Sequence, residues 1–223
     1  SNVTIVGVPY QVYRATHSSL MVGVVSLVQI PFLIAGSLWG GAAGDRGDRR
    51  RLIFLTAILQ SLLTALLGVN ALFTHSPVWV ITIIAALTAG AGGFANPLRT
   101  SIIPLIVTSN ELVAAYALNQ VMVNVALVAG PSLAGILLAS YGLSWCYFGD
   151  AATFLALAFA AMLFRPIPRS EHTTPASLLQ SIRDGLIYVR GHRMIKAIYG
   201  ADLNAMVFGL PRALFPAVAL DLY

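Results

Sequence analysis

The sequence predicts an all-α, multi-pass membrane protein: a six-helix bundle of two inverted three-helix repeats, then a linker helix and the start of a second bundle. Three observations predict it. Of the 223 residues, 58% are hydrophobic and only 9% charged, with a mean hydropathy of +0.83. A soluble domain carries about 25% charged residues, so this chain cannot cover a water-facing surface. Apolar runs recur along it, and spanning a bilayer takes about 20 such residues. Finally, the charged stretch Gly40-Gly41-Ala42-Ala43-Gly44-Asp45-Arg46-Gly47-Asp48-Arg49-Arg50-Arg51 is wedged between two of those runs and must lie in water at one membrane face.

The elements follow in order. Ser1 to about Tyr13 is apolar but short, and reads as the outer half of a first helix whose start is missing. Arg14 to Ser19 is a turn. A second span covers roughly Leu20–Ala43 and a third Leu52–Phe73, with His75-Ser76-Pro77 as a tight connection. The fourth runs from about Val78 to Val107, with Pro97 and Pro104 bending its far end. Ser109 is the expected cap of the fifth, Leu112–Ser140, with Glu111 in its first turn. Tyr141-Gly142 makes a hairpin into the sixth, Leu143–Phe164. A polar segment over Arg165–Lys196 precedes a seventh apolar stretch, Ala197–Leu220. The expected units are therefore 1–165, a transmembrane bundle with an incomplete first helix; 166–196, a linker; and 197–223, the first helix of a truncated second bundle. The opening Ser1-Asn2-Val3 and the stop at Asp221-Leu222-Tyr223 predict a fragment of a longer protein.

Charge sets the orientation. With the second-to-third, fourth-to-fifth and sixth-to-seventh connections on one face, that face collects Arg46, Arg49, Arg50, Arg51, Arg99, Arg165, Arg169, Arg183, Arg190, Arg193 and Lys196, eleven of the thirteen basic residues. The opposite face receives Arg14. The positive-inside rule then puts the Asp45–Arg51 loop in the cytoplasm. The net charge of +5 thus reports membrane orientation rather than nucleic-acid binding. Within the linker, Thr173-Thr174-Pro175 opens a helix on which Leu178, Ile182, Leu186 and Val189 share a face. Such a helix lies along the inner membrane surface or serves as a solvated linker.

Inside the membrane, Gly36, Gly40 and Gly44 recur every four residues, as do Ala126, Gly130 and Ala134 in the fifth span. This spacing clears a face for a close neighbour in any membrane bundle, and the matching positions fit inverted repeats. Gln120, Asn124, Pro131 and Gly135 fall within one quadrant of the fifth helix. Polar amides are costly in lipid, so this face should look into the bundle or a wet cavity, or bond between helices. Gln11 with Arg14, and Gln60 with Asn70, are weaker candidates of the same kind. Three charges sit at apparent membrane depth: Asp150, Asp202 and Arg212. Burial favours the neutral form of a carboxylate, which suits proton uptake and release, so Asp150 and Asp202 are proton-coupling candidates, with Arg99 and Arg212 as charge partners. Enzyme signatures are absent: no His-Glu-x-x-His, no glycine-rich phosphate loop with lysine, no Gly-x-Ser-x-Gly elbow. The lone Cys146 offers no metal-ligand spacing. Neither a cofactor nor a metal is expected.

Gly41 to Arg50 resembles the signature loop of the major facilitator superfamily, Gly-x-x-x-Asp-Arg/Lys-x-Gly-Arg-Arg/Lys, with Asp48 replacing its second glycine and adding a local partner for the arginines. Ala126 to Gly135 is similar to the antiporter signature of the fifth helix, Gly-x-x-x-Gly-Pro-x-x-Gly-Gly, with Ala126 and Ala134 in place of two glycines. Thr16-His17-Ser18-Ser19, Asn96 to Pro104, Asn110 to Ala115 and Asp184 to Arg190 resemble the branch holding enterobactin-exporter and macrolide-efflux-type proteins. The resemblance implies a twelve-span secondary transporter working by alternating access between two six-helix bundles. It implies export of a drug-like or siderophore-like compound against proton entry, from the cell membrane, as a monomer when full length. Its partners are membrane lipid, a small-molecule substrate and protons. A non-transporting sensor or scaffold of this fold, or an importer of a small metabolite, is the alternative. The resemblance also implies that the loop of Gly41, Asp45, Arg46, Arg49 and Arg50 gates the inner side, with Asp45 and the arginines contacting helix ends across the interface between the two bundles when the protein faces outward. Asp45→Asn should lower transport without lowering the amount of protein in the membrane, measured by vesicle transport beside immunoblotting; full activity would count against gating.

Overall fold

The computed structural model describes residues 2–73, 76–163 and 187–209. Its named helices are α1 (Asn2–Thr16), α2 (Ser19–Arg46), α3 (Arg49–Asn70), α4 (Val78–Thr100), a short α5 (Ile103–Ile106), α6 (Leu112–Tyr141), α7 (Leu143–Leu163) and α8 (Arg193–Gly209). Among the described residues, five segments are long and apolar enough to cross a membrane: Ser19–Gly44, Arg49–Asn70, Val78–Ile106, Leu112–Tyr141 and Leu143–Leu163. Most of the expected linker helix, and the end of the expected seventh span, lie outside the described residues, as does His75.

Each boundary has a local cause. Ser18 caps α2 by accepting from the Met21 N–H at 3.5 Å, after His17 turns the chain at φ 48°. At its other end α2 runs on through Arg46, and α3 starts at Arg49, so the charged stretch contains a hinge of only Gly47 and Asp48. Asp48 is the reason. At φ −72° it needs no glycine, and its carboxylate accepts from the backbone N–H of Arg50 at 3.0 Å and Arg51 at 3.4 Å. The departure from the family pattern is an N-cap. Its partners are the arginines' backbone amides, where the sequence pointed to the arginines themselves.

Pro97 sits within α4 without ending it. The break comes at Ser101 and Ile102, just ahead of Pro104, which has no N–H for the Thr100 carbonyl and opens α5. The start of α6 also differs from expectation. The cap is not Ser109: the Glu111 carboxylate reaches back to the Thr108 hydroxyl at 2.7 Å and the Thr108 N–H at 3.1 Å. Thr108 and Glu111 stand three apart, as in one half of a capping box. The Thr108 hydroxyl, then its backbone N–H, hold the Glu111 carboxyl below its ordinary value. Between α6 and α7, Gly142 adopts φ 87° and donates its N–H to the Leu138 carbonyl at 3.1 Å, the hairpin glycine that was expected.

Packing follows the inverted-repeat pattern. α2 lies along α4, α3 along α7 and α4, and α1 against α6, α7, α2 and α4. Exchanging α1 with α4, α2 with α6 and α3 with α7 turns α2–α4 into α6–α1, α3–α4 into α7–α1 and α2–α3 into α6–α7, all of which are contacts. The pairs differ in extent, α2–α4 being far larger than α6–α1, and α1–α2 has no counterpart of its size. The closest seam is α2–α4. A Cβ on Gly36 would collide with the Gly90 carbonyl, one on Gly40 with the Phe94 backbone, and one on Gly44 would sit 2.7 Å from Leu98 Cδ2. Both helices run towards the hinge, and the contacts step by four residues on each, so they are parallel and backbone-close. Reciprocally, a Cβ on Gly93 would collide with the Leu33 carbonyl. Away from the hinge, Val8, Val12, Val22, Val25, Leu67, Ile81, Ala85, Leu143 and Tyr147 form the main apolar core; at the hinge end, Ile53, Leu98 and Ala161 form a smaller one. α6 is peripheral, with Ala134 its one buried residue.

Gly40→Ala should therefore destabilise the bundle by about 1–3 kcal/mol through overpacking. Gly135→Ala, whose Cβ would meet open space, should be neutral or stabilising by about 0.5–1 kcal/mol. Thermal unfolding in detergent compares the two.

Candidate functional site

Two constructions stand out among the described residues: a clamp at the hinge and a polar interior at mid-depth. The clamp begins from an apparent fault. Arg49, Arg50 and Arg51 occupy the first turn of α3, where the helix dipole disfavours cations. Two of them reach the C-terminal ends of other helices, where cations are favoured and carbonyls lack partners. Arg49 Nε donates to the Gly44 carbonyl of α2 at 3.0 Å, and Nη1 to Ser101 O at 2.9 Å, the carbonyl at the break after α4. Arg50 Nε donates to Ala161 O at 3.1 Å, and Nη2 to Met162 O, both in the last turn of α7. Two arginines thus fasten three helix ends to the start of α3. The Asp45 and Arg46 side chains lie outside the described residues.

In the interior, buried polar groups tie helices across the bundle. The Gln11 amide donates to Asn70 Oδ1 at 3.0 Å and its Oε1 accepts from the Tyr147 hydroxyl at 3.0 Å, joining α1, α3 and α7. The Ser61 hydroxyl donates to Ala151 O at 2.9 Å. Asp150 is buried, and its Oδ2 accepts from the Thr4 hydroxyl at 2.6 Å. Thr153 donates to the Asp150 carbonyl at 2.7 Å. Against this pattern of satisfied groups, Gln60 is 3% exposed and its Oε1 has no partner. A buried acceptor left unmatched costs about 1–3 kcal/mol.

Gln60 lines a cavity of about 360 Å³ together with Thr4 and Ile5 of α1, Ser26, Gln29, Ile30 and Leu33 of α2, and Ala85, Thr88, Ala89 and Gly92 of α4. At the helical rise, Gln29 and Thr88 lie about 15 Å beyond the starts of α2 and α4, and Gln60 about 16 Å beyond Arg49. The hydrocarbon core is about 30 Å thick, so the cavity sits near the midplane. The main apolar core bounds it on one side and the glycine seam on the other. Behind its Thr4 wall stands the Asp150 carboxylate.

The predicted residues fall into three sets. Arg49, Arg50, Gln11 and Asp150 are brought into bonded arrangements, as above. Gln120 and Asn124 bond to each other at 3.3 Å on an exposed face of α6, not within this bundle, while Gly130 and Pro131 are half-buried and Gly135 is exposed. Gly41 meets nothing within 4 Å of a notional Cβ, and Arg99 is exposed at the end of α4. Asp202 is exposed on α8 and Arg212 lies outside the described residues. Sequence reading missed Thr4, Ser26, Gln29 and Thr88. Ser26 and Gln29, one turn apart in an apolar run, carry a legible signal; Thr4 and Thr88 are single hydroxyls with none. Among the described residues, no three His, Cys, Asp or Glu side chains are grouped to hold a metal ion.

Five spans, clamped at one end and enclosing a mid-depth cavity with five polar side chains in its largely apolar wall, define a polytopic membrane protein. The chain belongs to the major facilitator superfamily: the family model described as a transmembrane secretion effector matches residues 2–222. It is 26% identical over 207 residues to the staphyloferrin A transporter of Staphylococcus aureus (strain NCTC 8325 / PS 47), covering 92% of this chain and 51% of that protein. It is 31% identical over 222 residues to the enterobactin exporter EntS of Salmonella paratyphi A (strain ATCC 9150 / SARB42), covering 97% and 52%. The chain thus spans about half the length of the curated relatives it matches. No solved structure matches it significantly.

Because Asp48 caps α3, Asp48→Ala should cost about 1 kcal/mol, whereas Asp48→Gly, the residue of the signature loop, should cost only a few tenths. Chemical denaturation of the three proteins in detergent measures the order. Equal losses for both substitutions would contradict the capping role.

Proposed function

We propose that this chain forms one bundle of a secondary transporter that exports a small, siderophore-like organic compound by alternating access, in exchange for protons. The mid-depth cavity with the Thr4–Asp150 bond in its wall carries the reading. A carboxylate withdrawn from water at that depth is a functional-site hypothesis in a membrane protein, and midplane sites are where secondary transporters hold cargo. The names of the relatives, an enterobactin exporter and a staphyloferrin A transporter, supply the substrate class. In this reading residues 1–165 are the first bundle, 166–196 the linker and 197–223 the beginning of a second. The Asp45–Arg51 loop faces the cytoplasm from the cell membrane.

The Thr4 hydroxyl supplies the coupling. An ionised Asp150 can only accept, so it binds the Thr4 proton and leaves oxygen lone pairs towards the cavity. A protonated Asp150 gains an O–H, which it donates to Thr4 Oγ1, and the Thr4 proton turns to the cavity instead. Proton uptake thereby changes what the cavity wall offers to cargo. At the hinge, the Arg49 and Arg50 bonds keep the helix ends of this bundle together as it moves, and Asp45 gates the inner side.

The test is enterobactin transport by the full-length protein in everted vesicles with an imposed pH gradient. Asp150→Asn and Thr4→Val should each reduce gradient-driven transport by about 10- to 100-fold, one hydrogen bond to a charged group being worth about 1.5–3 kcal/mol. Counterflow without a gradient should persist in both. Undiminished gradient-driven transport in both variants would remove Asp150 from the mechanism.

A further inference from the structure

A second hollow lies at the hinge. It is a groove of about 240 Å³ between the start of α3 and the end of α7, lined by Asp48, Arg50, Arg51, Phe54, Ala161 and Met162. Its cations are only partly engaged. Arg50 directs Nε and Nη2 to the Ala161 and Met162 carbonyls, which leaves Nη1. The Arg51 side chain is exposed and has no hydrogen-bond or ion-pair partner among the described residues. Asp48 also lines the groove, but its carboxylate accepts from two backbone N–H groups at the positive end of the α3 dipole. Two guanidinium charges against one carboxylate so engaged leave the groove positive.

The groove is amphipathic along the membrane normal. Phe54 stands about one turn deeper than Arg50. Beyond it, Leu55 and Leu62 of α3 and Leu155 and Phe159 of α7 are exposed. Leu55 and Leu62 follow Arg51 by about one and three turns, and Leu155 and Phe159 precede Met162 by about two and one, so all four continue the groove's flank. Leu62 lies about 16 Å beyond the level of Arg51, and half the hydrocarbon thickness is about 15 Å. A free phosphate would use the arginines and leave this apolar strip unmatched. A phospholipid matches both, its phosphate at the arginines and an acyl chain along the strip. We propose that the groove seats the headgroup of an anionic phospholipid from the leaflet on the hinge side, with Arg51 as its main contact and Arg50 as the second. A zwitterionic lipid brings no net charge to a positive groove. The seat depends on neither the cargo nor its transport.

A tryptophan beside the groove reads which lipid sits there. In the full-length protein every tryptophan is replaced by phenylalanine and Leu55→Trp becomes the single fluorophore; Leu62→Trp is the second reporter should the first not fold. The protein is reconstituted in phosphatidylcholine to which phosphatidylglycerol, phosphatidylethanolamine or phosphatidylcholine with brominated acyl chains is added in turn, and quenching reports the lipid at the strip. Phosphatidylglycerol should be preferred over phosphatidylcholine about fivefold, as expected for one arginine beside an anionic lipid. Arg51→Gln should bring the two lipids to parity, and Arg51→Lys, which keeps the charge, should retain most of the preference. Arg99→Gln, which removes a charge from the same membrane face but outside the groove, should leave the preference unchanged. No preference in the parent protein, or one undiminished by Arg51→Gln, would overturn the assignment. So would equal losses in Arg51→Gln and Arg99→Gln, which would reduce the effect to general surface charge. A stronger preference for phosphatidylethanolamine would make Asp48 the recognising group and overturn it as well.

Discussion

A bilayer gives apolar helices little reason to associate, since lipid tails are as apolar as leucine. The α2–α4 seam answers that constraint. Leu27, Ile34, Leu38 and Trp39 of α2 are all exposed, so beyond Val22 and Val25 side-chain burial does little to hold this helix in place. Close backbone approach does. With Gly36 against Gly90, Gly40 against Phe94 and Gly93 against Leu33, main-chain atoms of the two helices meet directly, gaining dispersion contacts and weak Cα–H···O bonds of about 0.5–1 kcal/mol each. The rest of the interior depends on this register. The same two helices supply most of the cavity wall at residues 26–33 and 85–92, beside the stretch where their glycines bring them together.

The hinge obeys a related constraint. α2, α4 and α7 all end on the hinge side, each leaving carbonyls without helical partners. Water satisfies such groups in a soluble protein. Here the start of α3 does part of it, through Arg49 to α2 and to the break beyond α4, and Arg50 to α7. Three consecutive arginines at a helix N-terminus, unfavourable for α3 alone, are intelligible because two of them belong electrostatically to other helices. Asp48 restores the favoured sign at the N-terminus itself. A carboxylate cap and two basic straps make a short, stiff connection, suited to move with the bundle as a unit.

Much of this architecture was legible in the sequence. Hydropathy located the five spans because a membrane interior imposes length and composition together, and the four-residue glycine spacing announced a close neighbour. Its identity was not legible, because any helix can fill such a face; that it is α4 emerges from the fold. Helix ends were read less well where one residue decides. Asp48 looked like a departure from a pattern and is a cap, while Ser109 looked like a cap beside the Thr108–Glu111 pair that forms. The interior polar set divided for a physical reason. Asp150 and Gln60 stood out because charge and amide are rare at that depth, whereas Thr4 and Thr88 are hydroxyls that a helix absorbs into its own or a neighbour's bonding. Gln120 and Asn124 share a face as periodicity required, but periodicity fixes a face without saying which way the helix turns it.

The interior of the bundle depends on the closeness of α2 and α4, and their separation in lipid is measurable. An experimental structure of the full-length protein in a nanodisc gives that distance. Ordinary helix pairs pack at about 8–10 Å between axes. A shorter separation is expected alongside Gly36 and Gly40, with Gln60 and Thr88 lining one cavity beside it. Axes at 8–10 Å with side chains of other residues between those glycines and α4 would contradict it.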